Sequence, residues 1–160
     1  MNDNTRKVPP GYMLAKAIKI AVDKFDGHFD KGGMPYILHC LKVLHYLNSE
    51  DEDEQCAAVL HDLVEDVFAH DHQAGYLYLR REGFSERVIL YVAALTKAPD
   101  ETEEQTVSKV CQYRATMKIK LSDLRHNSDI RRLKGLREKD FTRLQKYCRM
   151  HVAITERLGS

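Results

Sequence analysis

One apolar stretch of this sequence carries a histidine and three acids: Ala57-Ala58-Val59-Leu60-His61-Asp62-Leu63-Val64-Glu65-Asp66. In a helix of about 3.6 residues per turn, His61 lies one turn before Glu65. Asp62 likewise lies one turn before Asp66, so the four side chains form one polar patch. The pattern predicts one buried helix with a polar seam. The opposite side of that helix carries only apolar residues, namely Leu60, Leu63, Val64 and Val67.

Burying this polar cluster among apolar residues costs free energy unless its charges are balanced. A bound cation balances them, because it turns the repulsion between neighbouring carboxylates into ligation. The alternative is an ordinary amphipathic helix with an acidic, solvated face. The apolar residues before and within the cluster disfavour that alternative. The stretch therefore predicts a metal site.

The composition is that of a single globular domain spanning residues 1–160. Hydrophobic residues make up 43% of the chain and charged residues 31%, which excludes a disordered protein. The net charge of +1 argues against binding of duplex nucleic acid, which needs a large basic excess, but leaves room for a local basic pocket. No apolar run reaches the ~18 residues of a membrane span, and no signal peptide is recognisable.

The four cysteines, Cys40, Cys56, Cys111 and Cys148, are scattered without a C-x-x-C pair. This spacing predicts neither a zinc knuckle nor a disulfide framework. A reducing cytoplasm is therefore the expected location. No feature of the sequence predicts an oligomeric state.

Apolar residues repeat at i, i+3 and i+4 spacing along most of the chain, and no alternating stretch predicts a strand. We therefore expect an all-α bundle of about seven to nine helices, preceded by a loose N-terminal arm at residues 1–9. The acidic run at residues 50–54 looks like a metal site in isolation, but acids favour the first turn of a helix. The last predicted helix, about residues 139–157, carries one apolar stripe: Phe141, Leu144, Cys148, Val152 and Thr155.

The chemistry of the polar cluster suits a divalent ion such as Mn²⁺, Fe²⁺, Zn²⁺ or Mg²⁺, because it offers imidazoles and carboxylates without thiolates. His61 and Asp62 supply two candidate ligands. The best further donors are His39 and Asp123, since each lies in an otherwise apolar helix. Taken alone, either residue could equally be a hydrogen-bonded residue of the core.

Four segments together resemble the HD-domain metal-dependent phosphohydrolase superfamily, whose pattern is H…HD…D. They are residues 33–39 with P-Y-x-x-H, residues 57–66 with H-D-x-x-E-D, residues 95–97, and residues 120–127 with K-L-x-D-x-x-x-N. More narrowly, the chain is similar to the RelA/SpoT-type (p)ppGpp hydrolases and their small single-domain relatives. The resemblance covers most of residues 12–157 and implies an HD-domain helical bundle.

The resemblance implies one divalent metal ion, expected to be Mn²⁺, and an acid–base pair beside it made of Glu65 and Asp66. Four protein ligands on a six-coordinate ion leave positions open for water and a phosphate oxygen. The carboxylates of the pair can then orient or deprotonate the water and protonate the leaving oxygen. The implied metal ligands are His39, His61, Asp62 and Asp123.

The resemblance also implies residues that hold a phosphorylated nucleotide. Asp30 departs from the family pattern, which has an arginine before the lysine at position 31. Arg143 and Tyr147 match a ligand-binding R-x-x-x-Y pair, but they could equally be a surface arginine over a core-edge tyrosine. The implied substrate-binding residues are Lys31, Lys97, Asn127, Arg143 and Tyr147.

The expected function is therefore metal-dependent hydrolysis of a nucleotide, most specifically removal of the 3′-pyrophosphate from guanosine-3′,5′-bis(diphosphate). The chain has no room for the nucleotide-synthetase domain of the long family members, so we expect a hydrolase only. A nucleoside monophosphate or NADPH is the alternative substrate, because fold does not fix substrate. A non-catalytic nucleotide-binding module is a further alternative, disfavoured because the four ligands and the acid pair occur together.

Overall fold

A computed structural model describes residues 8–159, so residues 1–7 of the expected N-terminal arm lie outside the described part. The all-α prediction is confirmed, and residues 8–159 contain no strand beyond an isolated bridge between Phe29 and Pro35. No helix in this range is long and apolar enough to cross a lipid bilayer. The α-helices are α1 Tyr12–Lys24, α2 Ile37–Leu47, α3 Glu52–Leu60, α4 Leu63–Val67, α5 His72–Arg81, α6 Glu86–Leu95, α7 Glu103–Val110, α8 Arg114–Asn127 and α9 Glu138–Gly159, with a 3-10 turn at Ile130–Arg132.

Helix α3 lies at the centre of the bundle and packs against α1, α2 and α6. Its N-cap is Asp51, whose carboxylate accepts hydrogen bonds from the backbone N–H groups of Asp53 and Glu54. The acidic run at residues 50–54 therefore begins a helix, as predicted, because acidic groups stabilise the positive end of the helix dipole. Every residue from position 56 to position 60 is buried.

The predicted single helix is wrong in one respect, because the chain breaks between α3 and α4. Asp62 has φ −99° and ψ −1°, which depart from the regular α-helical values while remaining right-handed. The imidazole Nδ1 of His61 lies 2.8 Å from the carbonyl oxygen of Ala58, which an unbroken helix would offer to the N–H of residue 62. Consecutive side chains on a helix diverge by about 100°. The break instead brings His61 and Asp62 to one point, with Nε2 and Oδ2 2.8 Å apart.

The predicted apolar stripe of the last helix is also wrong, because α9 turns a different face to the bundle. Phe141 is 48% exposed and Val152 is 54% exposed. The α9 side chains that are buried are Asp140, Met150 and Ile154. Both stripes follow helical spacing, so spacing alone cannot choose between them. Asp140, buried near the N-terminus of α9, pairs with Arg143 one turn later on the same helix, so its burial does not leave an unpaired charge.

We expect Leu60→Ala to lower the free energy of unfolding by about 2–5 kcal/mol, because Leu60 is fully buried and its removal leaves a cavity beside the break. Urea unfolding of the two proteins measures the difference. The matched control is Leu77→Ala on α5, since Leu77 is 44% exposed; it should change stability by less than about 1 kcal/mol. Equal losses in both variants would contradict the central role of α3.

Candidate functional site

Four side chains from three parts of the bundle converge on one point. His39 comes from α2, His61 and Asp62 come from the break between α3 and α4, and Asp123 comes from α8. The Nε2 atoms of His39 and His61 lie 3.3 Å apart. Asp62 Oδ2 lies 3.6 Å from His39 Nε2, and Asp123 Oδ1 lies 3.3 Å from the same nitrogen. The structure thus brings together all four residues that the sequence nominated as metal ligands.

The spacing of these atoms fits a metal ion. Imidazole nitrogens and carboxylate oxygens bind such ions at about 2.0–2.2 Å, which sets neighbouring donors of one ion about 3 Å apart. The ligand atoms of His39, His61 and Asp123 all lie within 4.8 Å of one another, and all three side chains are buried. Asp62 Oδ2 joins them at 2.8 Å from His61 Nε2. The cluster could therefore hold a divalent ion.

Hydrogen bonds on the far side of each imidazole leave its Nε2 lone pair facing the cluster. His61 donates Nδ1–H to the carbonyl oxygen of Ala58. The Nδ1 of His39 lies 2.7 Å from the Nδ1 of His126. Desolvation, together with Arg132, lowers the pKa of His126 to about 4, which favours the neutral ring that can accept the Nδ1–H of a metal-binding His39. This arrangement is the usual one for metal-binding histidines.

The cluster also attracts positive charge. Burial alone would raise the pKa of Asp123, but the Lys120 ammonium 2.7 Å from its Oδ2 and the two imidazoles lower it well below its usual value. Burial likewise opposes ionisation of Asp62, and His61 and His39 outweigh it and lower its pKa. The carboxylates in turn raise the pKa of both imidazoles. The buried carboxylate of Asp123 and the half-buried carboxylate of Asp62 therefore favour a cation beside them, and a divalent ion can replace the imidazole protons.

Three further side chains fix the carboxylates in place. The hydroxyl of Tyr36 donates to Asp62 Oδ2 at 2.5 Å. The amide of Asn127 donates to Asp123 Oδ1 at 2.5 Å, beside the contact from Lys120. Sequence reasoning assigned no role to Tyr36 or Lys120. Their only signal was their place in the P-Y-x-x-H and K-L-x-D segments.

Glu65 and Asp66 follow the break on α4, and their surroundings differ. Glu65 Oε2 accepts the backbone N–H of Lys97 at 2.8 Å, so the connection after α6 holds this carboxylate in one orientation. Desolvation raises the pKa of Asp66 to about 6, and the negative charges of Asp62 and Glu65 add to the increase. The pair therefore combines a fixed carboxylate with one that holds a proton at weakly acidic pH.

A cavity of about 290 Å³ opens beside the cluster and is lined by both His39 and Asp66. Lys97 does not line this cavity, and it contacts the site through its backbone N–H, which donates to Glu65. The remaining four residues nominated for substrate binding line this cavity together: Lys31, Asn127, Arg143 and Tyr147.

The departure at Asp30 has a structural counterpart. Its carboxylate accepts the backbone N–H groups of Gly32 and Met34 and pairs with Arg132 at 2.6 Å. Arg132 lies in the turn after α8, lines the same cavity and also donates to the carbonyl oxygen of His126. An arginine therefore reaches the cavity wall from a distant segment. Sequence reasoning missed it, because nothing in the local pattern links positions 30 and 132.

Comparison with known proteins agrees with this geometry. A family model described as HD domain matches residues 36–146, a range that contains all four convergent side chains. A solved structure described as a metazoan ortholog of SpoT that hydrolyzes ppGpp and plays a role in starvation responses has the same fold, with a TM-score of 0.71 and 22% sequence identity. The alignment covers 94% of this chain and 88% of that chain. The chain is therefore a member of the HD domain family, and with it of the metal-dependent phosphohydrolases.

Proposed function

We propose that this protein hydrolyses a phosphorylated nucleotide, most specifically by removing the 3′-pyrophosphate of guanosine-3′,5′-bis(diphosphate). The observation that carries the proposal is the cavity of about 290 Å³, which is lined both by cations and by residues of the carboxylate–imidazole site. The cations are Lys31, Arg132 and Arg143, and His39 and Asp66 line the same cavity. A phosphorylated ligand fits a cavity with this lining, because the cations bind its phosphate groups while the carboxylate–imidazole site acts on one phosphate group.

In this proposal His39, His61, Asp62 and Asp123 hold one divalent ion, and the donor set suits Mn²⁺. When bound, such an ion supplies Lewis acidity to a phosphoryl oxygen and lowers the pKa of a water molecule. The residues of the chain orient that chemistry. His126 and the Ala58 carbonyl fix the two imidazoles, and Tyr36, Lys120 and Asn127 fix the two carboxylates.

We assign separate roles to the two acids of α4. Glu65 has one oxygen held by the Lys97 amide, and its other oxygen is available to orient the attacking water and accept its proton. Asp66 lines the cavity and has a raised pKa of about 6, which suits a group that protonates the leaving oxygen. Asn127 and Tyr147 line the same cavity and would contact the nucleoside.

A second candidate substrate is a nucleoside monophosphate or NADPH. The observation that favours it is the pairing of acids with the cations of the cavity. Asp30 neutralises Arg132, and Asp140 neutralises Arg143, so the charge that faces a ligand in the cavity itself is small. A ligand with a single phosphate group needs fewer cations than a guanosine polyphosphate.

We also propose a cytoplasmic location. All four cysteines are free thiols: Cys40 and Cys56 are buried, Cys111 is half-buried and Cys148 is exposed. Small domains in oxidising compartments normally use cysteines as disulfides, whereas thiols persist in a reducing compartment.

The metal assignment predicts that the purified protein holds about one divalent ion per chain and that His61→Ala loses it. His126→Ala should weaken Mn²⁺ binding by about 10–100-fold, because His39 loses the partner that orients it. Elemental analysis and Mn²⁺ titration measure the two effects. The matched control is Arg125→Ala, since Arg125 is exposed and its guanidinium lies over the ring of Tyr46.

Full occupancy of the His61→Ala protein would contradict the ligand assignment. Equal Mn²⁺ affinity of the wild-type and His126→Ala proteins would contradict the positioning role of His126.

The catalytic assignment predicts that Glu65→Gln keeps its metal but loses about 10²-fold or more in activity, the usual size of a general acid–base contribution. Glutamine can still accept the Lys97 amide, so the fold around position 65 is preserved. Phosphate and pyrophosphate release in the presence of Mn²⁺ is the measurement. Glu104→Gln, at an exposed position on α7, is the control that should leave activity unchanged. Turnover at the wild-type rate would make Glu65 a structural residue.

The substrate itself is decided by kcat/KM on guanosine tetraphosphate and on nucleoside monophosphates. If the substrate is the tetraphosphate, Arg143→Ala should raise its KM by tenfold or more, roughly the value of one charge-assisted contact. Lys97→Ala should raise KM less, because its hydrogen bond to the site comes from the backbone. Both effects should shrink at high salt, and neither should appear with monophosphates. Robust hydrolysis of monophosphates with no turnover of the tetraphosphate would reject the alarmone assignment.

A further inference from the structure

A second cavity, of about 500 Å³, adjoins the first. We call it the cationic annex and define it by the residues that line it from two segments, 30–33 and 133–143. Asp30, Lys31, Leu133, Asp140 and Arg143 line both cavities, so the annex opens beside the site described above.

The walls of the annex are fixed by packing and by two buried acids. A Cβ atom on Gly32 would lie 2.4 Å from the carbonyl oxygen of Arg132, so only glycine allows the two segments to approach this closely. Asp30, with 8% of its side chain exposed, pairs with Arg132 on one side. Asp140, with 7% exposed, accepts the backbone N–H of Arg137 and pairs with Arg143 on the other. The annex is therefore held open by specific contacts.

The charge of the annex is unbalanced. Asp30 and Asp140 are each matched by an arginine, and these are its only acids among the described residues. Four further cations line the annex: Lys31, Lys134, Arg137 and Lys139. Among residues 8–159, no carboxylate lies within ion-pair distance of any of the four.

This local excess stands out because the whole chain has a net charge of only +1. Desolvation, together with the charges of Arg143 and Arg132, also lowers the pKa of Lys31, as expected where cations crowd together. Like charges placed close together destabilise a fold, and a bound anion removes that cost.

The volumes of the two cavities also indicate that a ligand extends into the annex. Small-molecule sites in proteins usually measure about 300–1,000 Å³, so the first cavity alone, at about 290 Å³, is at the lower limit. The annex extends it by a space of about 500 Å³ in which the free polar groups are cationic. Lys31 and Arg143 line both cavities, so a single ligand that extends from the first cavity into the annex would pass both side chains.

We propose that the annex binds the phosphate chain at the non-reacting end of the ligand, and that Lys134, Arg137 and Lys139 make affinity increase with the number of phosphates in that chain. The proposal rests on the proposed function only in that the reacting phosphate lies at the carboxylate–imidazole cluster. It adds a specificity-determining subsite built from the segment between α8 and α9. The recognised group is a diphosphate or triphosphate, independent of the base.

The test measures binding by the full-length, Mn²⁺-loaded Glu65→Gln protein, in which turnover is suppressed. The probes are guanosine 3′-diphosphates that carry one, two or three phosphates at the 5′ position, and the pair adenosine 3′-monophosphate and adenosine 3′,5′-bisphosphate. We expect the dissociation constant to fall about tenfold from one to three 5′-phosphates. In Lys134→Ala/Lys139→Ala this gradient should shrink to less than about twofold.

The matched control is Lys19→Ala/Arg81→Ala, which removes the same charge from exposed positions on α1 and α5. It should keep the gradient. Thermal unfolding of both double variants checks that the fold is unchanged, as expected for exposed side chains.

The proposal is overturned if the wild-type background shows no gradient in either series, or if the gradient survives in Lys134→Ala/Lys139→Ala. It is also overturned if that variant loses affinity for a single-stranded oligonucleotide while the nucleotide gradient stays intact, because the annex would then bind nucleic acid. Failure of the proposed function looks different. In that case the Glu65-intact protein hydrolyses none of the nucleotides, yet the annex variant still loses the phosphate gradient.

Discussion

The balance of charge around two carboxylates, one buried and one half-buried, is the constraint on which the site depends. Burial opposes ionisation of Asp62 and Asp123, and the cations and hydrogen-bond donors around them outweigh it and lower the pKa of each carboxyl. The two imidazoles lie between them, and Lys120 closes the far side of Asp123. Removing any one partner leaves buried charge without compensation, which is costly. The helices of the bundle are therefore held in register by electrostatics as well as by apolar packing.

The sequence predicted the class of fold and the identity of the convergent residues well. Helical spacing identified the all-α bundle, and the acidic run at residues 50–54 was correctly interpreted as the beginning of a helix. The break at His61 and Asp62 was not predicted, because helical propensity carries no information about an imidazole that takes the hydrogen-bond acceptor of its own helix. The orientation of α9 was not predicted either, because both the predicted and the observed stripes follow helical spacing and the choice depends on which face meets the rest of the bundle.

In the site, too, some residues could be predicted from their type, whereas others depend on contacts that only the folded structure shows. Histidine and aspartate at His39 and Asp123 could be nominated from their chemistry, because such residues are unusual in apolar helices. His126 and Arg132 could not, because their roles depend on which distant group each one meets. His126 matters through a contact with α2, 87 positions earlier, and Arg132 matters through a contact with the loop at Asp30, 102 positions earlier. Interactions over such separations exist only once the chain has folded.

The pair formed by Asp30 and Arg132 has a consequence for how this chain can diverge. The carboxylate of Asp30 closes its own turn through Gly32 and Met34, and it holds a guanidinium that also donates to the carbonyl oxygen of His126. Arginine at position 30, the residue of the family pattern, would place two guanidinium groups together with no carboxylate between them. Positions 30 and 132 are thus coupled energetically, because a change of charge at either residue removes the partner of the other and disturbs the backbone that follows Asp123. A single substitution that alters the charge of either residue would therefore leave an unpaired charge beside the cavity.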